Sequence, residues 1–148
     1  MTDANAVFNP IACYSYPNPR HDDEDQLSFE DHHTSRSLVG GLAYFATCTR
    51  PDITFAISFL SRHLHDPAFR HLQQAKRVLR YISGTLDHGI EFRLGSPLTP
   101  DSHGEYVDAD WGGDHETRML TTGFVITVNH TPVYFRSKRQ QLVTLSSG

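Results

Sequence analysis

Asp108, Asp110 and Asp114 gather around Trp111-Gly112-Gly113. If Asp108 ends a strand, side-chain alternation puts Asp108 and Asp110 on one face. Such a pair offers the oxygen ligands that a hard cation such as Mg²⁺ prefers. A turn rich in Asp and Gly accounts for the same residues without chemistry. A two-metal phosphodiesterase needs several carboxylates converging on ions roughly 3.5 to 4 Å apart. After Asp114 the only acid is Glu116, so a self-sufficient site would have to recruit carboxylates from distant segments.

A second chemistry is anion binding. At 100° per residue, Arg70, Gln73, Lys76, Arg77 and Arg80 fall on one side of a helix whose other side carries Leu72, Ala75, Leu79 and Ile82. Cations in that array can neutralise phosphates and give sequence-independent, salt-sensitive affinity; a solvated helix face is the plainer reading. Arg136, Lys138 and Arg139, beside Tyr134 and Phe135, form a second basic patch. Among the ten histidines, His63 and His65 lie two apart and do not face the same way on a helix, so ordinary surface histidines explain them better than zinc, even with His71 nearby. Cys48 falls at a helix end among apolar residues with no paired base.

The elements that must position these residues follow from periodicity. The 148 residues are the length of one domain, and 38% hydrophobic with 20% charged residues excludes fibrous and highly charged classes. The apolar stretches at 38–46 and 53–60 are interrupted and fall short of the roughly 20 residues that a bilayer requires, so no membrane partner is expected. With no basic, apolar leader and two cysteines, the expected setting is intracellular, in cytoplasm or nucleus. The net charge of −4 is uneven: one basic residue against seven acidic ones before Arg36, eight against four from Arg36 to Arg93, and four against six thereafter. An acidic lead before a basic middle points weakly to a polyanionic partner.

Residues 1–33 read as a flexible acidic lead. A helix is expected from Thr34 to about Thr47, burying Leu38, Leu42, Phe45 and Ala46, with Gly40 and Gly41 weakening it or marking close packing. Thr49-Arg50-Pro51-Asp52 predicts a second start, with Thr49 as cap, followed by the stripe Ile53, Ala56, Ile57, Leu60 and Leu64. Asp66-Pro67 opens a third helix that Gly84 closes. Ile90, Phe92 and Leu94 alternate as a strand does, and Tyr106 to Asp108, Gly123 to Val128 and Val133 to Arg136 predict three more. His130-Thr131-Pro132 falls in the last turn, and Leu142 to Leu145 is a fourth apolar piece. The expected class is α+β: a helical region over 34–94, then a sheet over 104–148.

Five motifs in register resemble one family. They are Ser37-Leu38-Val39-Gly40-Gly41-Leu42-Ala43-Tyr44, Thr49-Arg50-Pro51-Asp52-Ile53, Ala75-Lys76-Arg77-Val78-Leu79-Arg80-Tyr81-Ile82-Ser83-Gly84-Thr85, Asp108-Ala109-Asp110-Trp111-Gly112-Gly113-Asp114, and Ser137-Lys138-Arg139-Gln140 with Leu145-Ser146-Ser147. Together they resemble the copia-type LTR retrotransposon Pol polyprotein over nearly the whole chain. The resemblance implies thumb-like helices of the reverse transcriptase thumb/connection region running into an incomplete, truncated RNase H-like antiparallel sheet. It implies that Asp108 is the first metal-binding, catalytic aspartate of RNase H, with Asp110 an adjacent motif acid. In the family the Leu-Ser-Ser run continues into Thr-Glu-Ala-Glu, whereas here Gly148 follows. The expectation is a fragment without independent catalysis, from a parent that uses Mg²⁺ for RNA-templated DNA synthesis and RNA/DNA-hybrid hydrolysis. Two alternatives stand beside it. One is a non-specific nucleic-acid-binding module using Arg70, Lys76, Arg77, Arg80, Lys138 and Arg139. The other is a subunit that completes a split RNase H with the remainder of a Pol polyprotein.

Overall fold

The computed structural model describes residues 7–11, 27–92, 102–110 and 121–140. They fall into two compact units, divided between His88 and Gly89. Helices precede strands, and the architecture is α+β.

In the first unit α1 spans Phe29–Cys48 and starts ahead of the apolar stripe that announces it. The reason is local. Ser28 caps it, its hydroxyl oxygen accepting from the Asp31 amide at 3.1 Å, and Glu30 and Asp31 in the first turn suit the positive end of the helix dipole. The buried stripe is Ser35, Val39, Leu42 and Ala46: Leu42 and Ala46 are buried as expected, whereas Leu38 is half-buried and Phe45 is exposed. Gly40 and Gly41 are exposed, and a Cβ on either would meet nothing within 4 Å. Close helix packing therefore does not explain them.

After α1 the chain makes one 3-10 turn, Pro51–Ile53, and enters α2, Thr54–Ser61. Thr49 is the C-cap of α1, not the N-cap of a new helix. The predicted stripe is otherwise observed: Ile53, Ala56, Ile57 and Leu60 are buried. α3 spans Phe69–Ser83 and ends at Gly84. Its N-terminus is closed by His71, whose Nδ1 accepts from the Ala68 amide at 2.8 Å, rather than by Asp66. The His71 ring is buried and stacks on His63, centroids 4.4 Å apart and planes within 7°. Leu72, Ala75, Val78 and Tyr81 face inward. Val7 and Ile11, from the segment expected to be a flexible lead, pack against this core.

The second unit is an antiparallel sheet in the order β1 (His103–Asp110), β2 (Thr121–Val128), β3 (Thr131–Arg139). The expected strand at Ile90 to Leu94 is absent over the described residues 90–92. There the Glu91 carbonyl instead accepts from the Thr131 hydroxyl at 2.8 Å. The last turn is made by Asn129 and His130, both with positive φ (49° and 63°), the backbone sign that a two-residue hairpin turn needs. Thr131 and Pro132 thus lie inside β3, where a register irregularity opposite Ile126/Thr127 accommodates a proline that cannot donate. Gly104 is fixed by its neighbour, since a Cβ there would come within 2.6 Å of Thr127 Oγ1. The apolar piece at Leu142 to Leu145 lies outside the described residues.

Candidate nucleic-acid interface

α1 and α3 pack side by side and leave a groove of about 950 Å³. Its α3 wall presents Gln73, Gln74, Lys76, Arg77 and Arg80, its α1 wall presents His33, Thr34 and Ser37, and Leu38 and Leu79 complete the lining. Among the described residues no carboxylate lines it, and three cations meet there in a chain of net charge −4. Arg77 is oriented by its own N-terminal segment: its Nε donates to the Asn9 carbonyl at 3.1 Å. A guanidinium carries five N–H donors, which leaves the rest of that fork for a ligand. Gln74 Oε1 and Arg80 Nε are shielded from solvent and lack hydrogen-bond partners.

The helical amphipathicity thus collects Lys76, Arg77 and Arg80 at one groove. Arg70 is half-buried and does not line it. The second basic patch is divided by strand alternation: Lys138 and Arg139 are successive in β3, so their side chains leave opposite faces of the sheet.

Asp108 is exposed on β1 and lies in register with Gly123 on β2, which in turn pairs with Ser137 on β3. Its cross-strand neighbours therefore supply one hydroxyl and no carboxylate. Asp110 pairs with Thr121. Among the described residues no group of three or more His, Cys, Asp or Glu could hold a metal ion. Mg²⁺ takes several oxygen ligands in near-octahedral geometry; Asp108 supplies one carboxylate, and Asp114 and Glu116 lie outside the described residues. His63 and His71 meet as a stacked pair in the helical unit, and Cys48 is an exposed thiol at the last residue of α1.

Two of the motifs serve positioning. Arg50, buried, forms a bidentate pair with Asp52, Nε to Oδ1 at 3.0 Å and Nη2 to Oδ2 at 2.8 Å. It also donates to the Thr85 carbonyl (3.0 Å) and hydroxyl (2.7 Å) beyond the end of α3. Its guanidinium lies 5.5 Å from the centre of the Tyr81 ring. Burial pushes the Asp52 carboxyl up, but hydrogen bonds from Arg50 and Tyr81 outweigh it, and the net shift is downward. Burial, and then Asp52, raise the Tyr81 phenol. This lock joins the turn after α1 to the C-terminal end of α3, and so sets the α1 and α3 walls of the groove. Thr49-Arg50-Pro51-Asp52 reads as a helix start in the sequence, and Thr85 lies too far along the chain for any local pattern to pair it with Arg50.

No helix among the described residues is long and apolar enough to cross a membrane. No family model matches the sequence, and no solved structure matches it. The sequence is similar to the retrovirus-related Pol polyprotein from transposon RE1 of Arabidopsis thaliana, 38% identical over 99% of this chain and 10% of that protein. It is similar to that from transposon RE2 of the same plant, 37% identical over the same shares. It is also 43% identical to the secreted RxLR effector protein 161 of Plasmopara viticola, over 75% of this chain and 76% of the effector. The chain spans about a tenth of the length of the two polyproteins. With both of them matched along nearly its whole length, the chain belongs to the retrovirus-related Pol polyproteins of transposons.

Proposed function

We propose that this part of a Pol polyprotein grips the phosphodiester backbone of a nucleic acid through Lys76, Arg77 and Arg80. The observation that carries the reading is the α1/α3 groove, where three cations converge and no carboxylate among the described residues lines the walls. Backbone phosphates meeting these side chains bind without regard to sequence and release counterions as they do so. The parent enzyme, of copia type, would carry out RNA-templated DNA synthesis and hydrolysis of RNA/DNA hybrids with Mg²⁺. The 148 residues alone hold nucleic acid and do not cleave it. Supporting that division, Asp108 has Gly123 and Ser137 across the sheet instead of further acids.

The test is fluorescence anisotropy of the full chain with a labelled RNA/DNA hybrid at low salt. Changing Lys76, Arg77 and Arg80 together to Gln should weaken binding at least about tenfold, since each lost phosphate contact removes its share of counterion release. Asp108→Asn should leave binding unchanged. Equal binding by the triple variant, or hybrid cleavage by the chain alone in Mg²⁺ that Asp108→Ala abolishes, contradicts the reading.

A second reading draws on the exposure of Asp108 and the open space beside Gly123, where a Cβ would meet nothing within 4 Å. In it the sheet is one part of a split RNase H, and the remainder of the polyprotein brings the other carboxylates. Hydrolysis restored on mixing the two parts, and lost with Asp108→Ala, supports it.

A further inference from the structure

The lining of the α1/α3 groove is richer than backbone gripping requires. Cations occupy one wall only; the other offers the hydroxyls of Thr34 and Ser37, and Leu38 and Leu79 give an apolar surface between them. Gln74 contributes an acceptor without a partner and Arg80 a donor without one. A buried polar atom left unpaired is costly unless something satisfies it, and both residues line the groove.

From this we propose, building on the nucleic-acid reading above, that the groove takes an unpaired nucleotide and that the preferred ligand is single-stranded. A duplex is a convex rod with its bases turned inward. It reaches the cations at the rim but places nothing on the leucines between two helices, whose axes pack about 8 to 10 Å apart. A single strand can turn a base into the groove. The base face lies on Leu38 and Leu79, its polar edge meets the Gln73 and Gln74 amides, and the adjoining phosphates sit on Lys76, Arg77 and Arg80. About 950 Å³ is at the upper end of what small-ligand sites enclose and admits a nucleotide with water. Amides that both donate and accept tolerate any base, so little sequence preference is expected, and DNA and RNA single strands should behave alike.

The experiment compares four ligands on the full 148-residue chain at one ionic strength. They are a 20-mer of thymidine, a 20-mer of uridine, a 20-base-pair duplex and an abasic 20-mer with the same number of phosphates. The single strands should bind about tenfold more tightly than the abasic strand, the scale expected for base contacts, and more tightly than the duplex. Ser37→Trp and Thr34→Trp, each at an exposed position of α1, fill the groove without changing charge. Each should bring the single strands down to the abasic level and weaken the duplex by a smaller factor. Circular dichroism confirms that either variant is folded. If single strand, duplex and abasic strand bind alike and both Trp variants behave as wild type, the proposal is overturned while backbone gripping stands. If no polyanion binds, both are overturned.

Discussion

The helical unit and the sheet are stabilised differently. Every apolar residue buried among the described ones lies between Val39 and Tyr81, and Ile53, Leu72, Ala75 and Val78 are fully inaccessible. Among the described side chains of the sheet only Thr121 and Thr131 are buried, and Tyr106, Val107, Val133 and Tyr134 stand about half exposed or more. The helices are held by area removed from water, the strands by two ladders of backbone hydrogen bonds, the second broken in register at Ile126/Thr127. A rigid helical body suits a groove that must keep its walls in place, while the described strands leave both faces of their sheet accessible.

The largest expected effect comes from a cavity in the helical core. Leu72→Ala should cost about 2 to 5 kcal/mol, whereas Ile126→Ala on the half-buried β2 should cost no more than about 1 kcal/mol. Urea denaturation measures both, and segment-resolved hydrogen exchange should show the strands opening before α3. Equal losses at the two sites would erase the contrast. Next comes the lock. Arg50→Ala should cost about 2 to 3 kcal/mol, below the range for a fully buried pair because Asp52 is partly exposed. Arg50→Lys should not restore the loss, since an ammonium cannot reproduce the planar two-point pairing.

Acid sharpens the same comparison. The Asp52 carboxyl titrates below its unfolded value, so its contribution is fully present above the ordinary carboxylate range. It is lost as pH falls through the lowered folded value. The contribution is no more than about 1 kcal/mol, because solvent screens the exposed part of the pair. Thermal melts between pH 5 and pH 2 should show a limb that Asp52→Asn flattens, roughly within those limits. The smallest change is a gain. Gly40→Ala, with open space for its Cβ, should stabilise α1 by about 0.5 to 1 kcal/mol, read as a shift in the denaturation midpoint.

Element order, the α2 stripe and the cationic side of α3 are legible in the sequence because each rests on a local period. Three features are not. The inward face of α3 turns toward Val78 and Tyr81, leaving Leu79 and Ile82 half-buried, because Tyr81 packs under Arg50. Thr49-Arg50-Pro51-Asp52 reads as a cap and proline signal, whereas Arg50 pairs with Asp52 and reaches Thr85, 35 residues away. The groove itself is tertiary: His33, Thr34 and Ser37 carry no signal until α1 lies beside α3. Asp108 is legible as a strand residue, but strand pairing alone decides that Gly123 and Ser137 face it.

Whether Lys76, Arg77 and Arg80 hold phosphates is read from the slope of log affinity against log salt for a single-stranded 20-mer. Three phosphate contacts predict a slope of about −2, falling toward zero when all three cations become Gln. Binding that ignores salt, or a slope unchanged in the triple variant, would contradict the account.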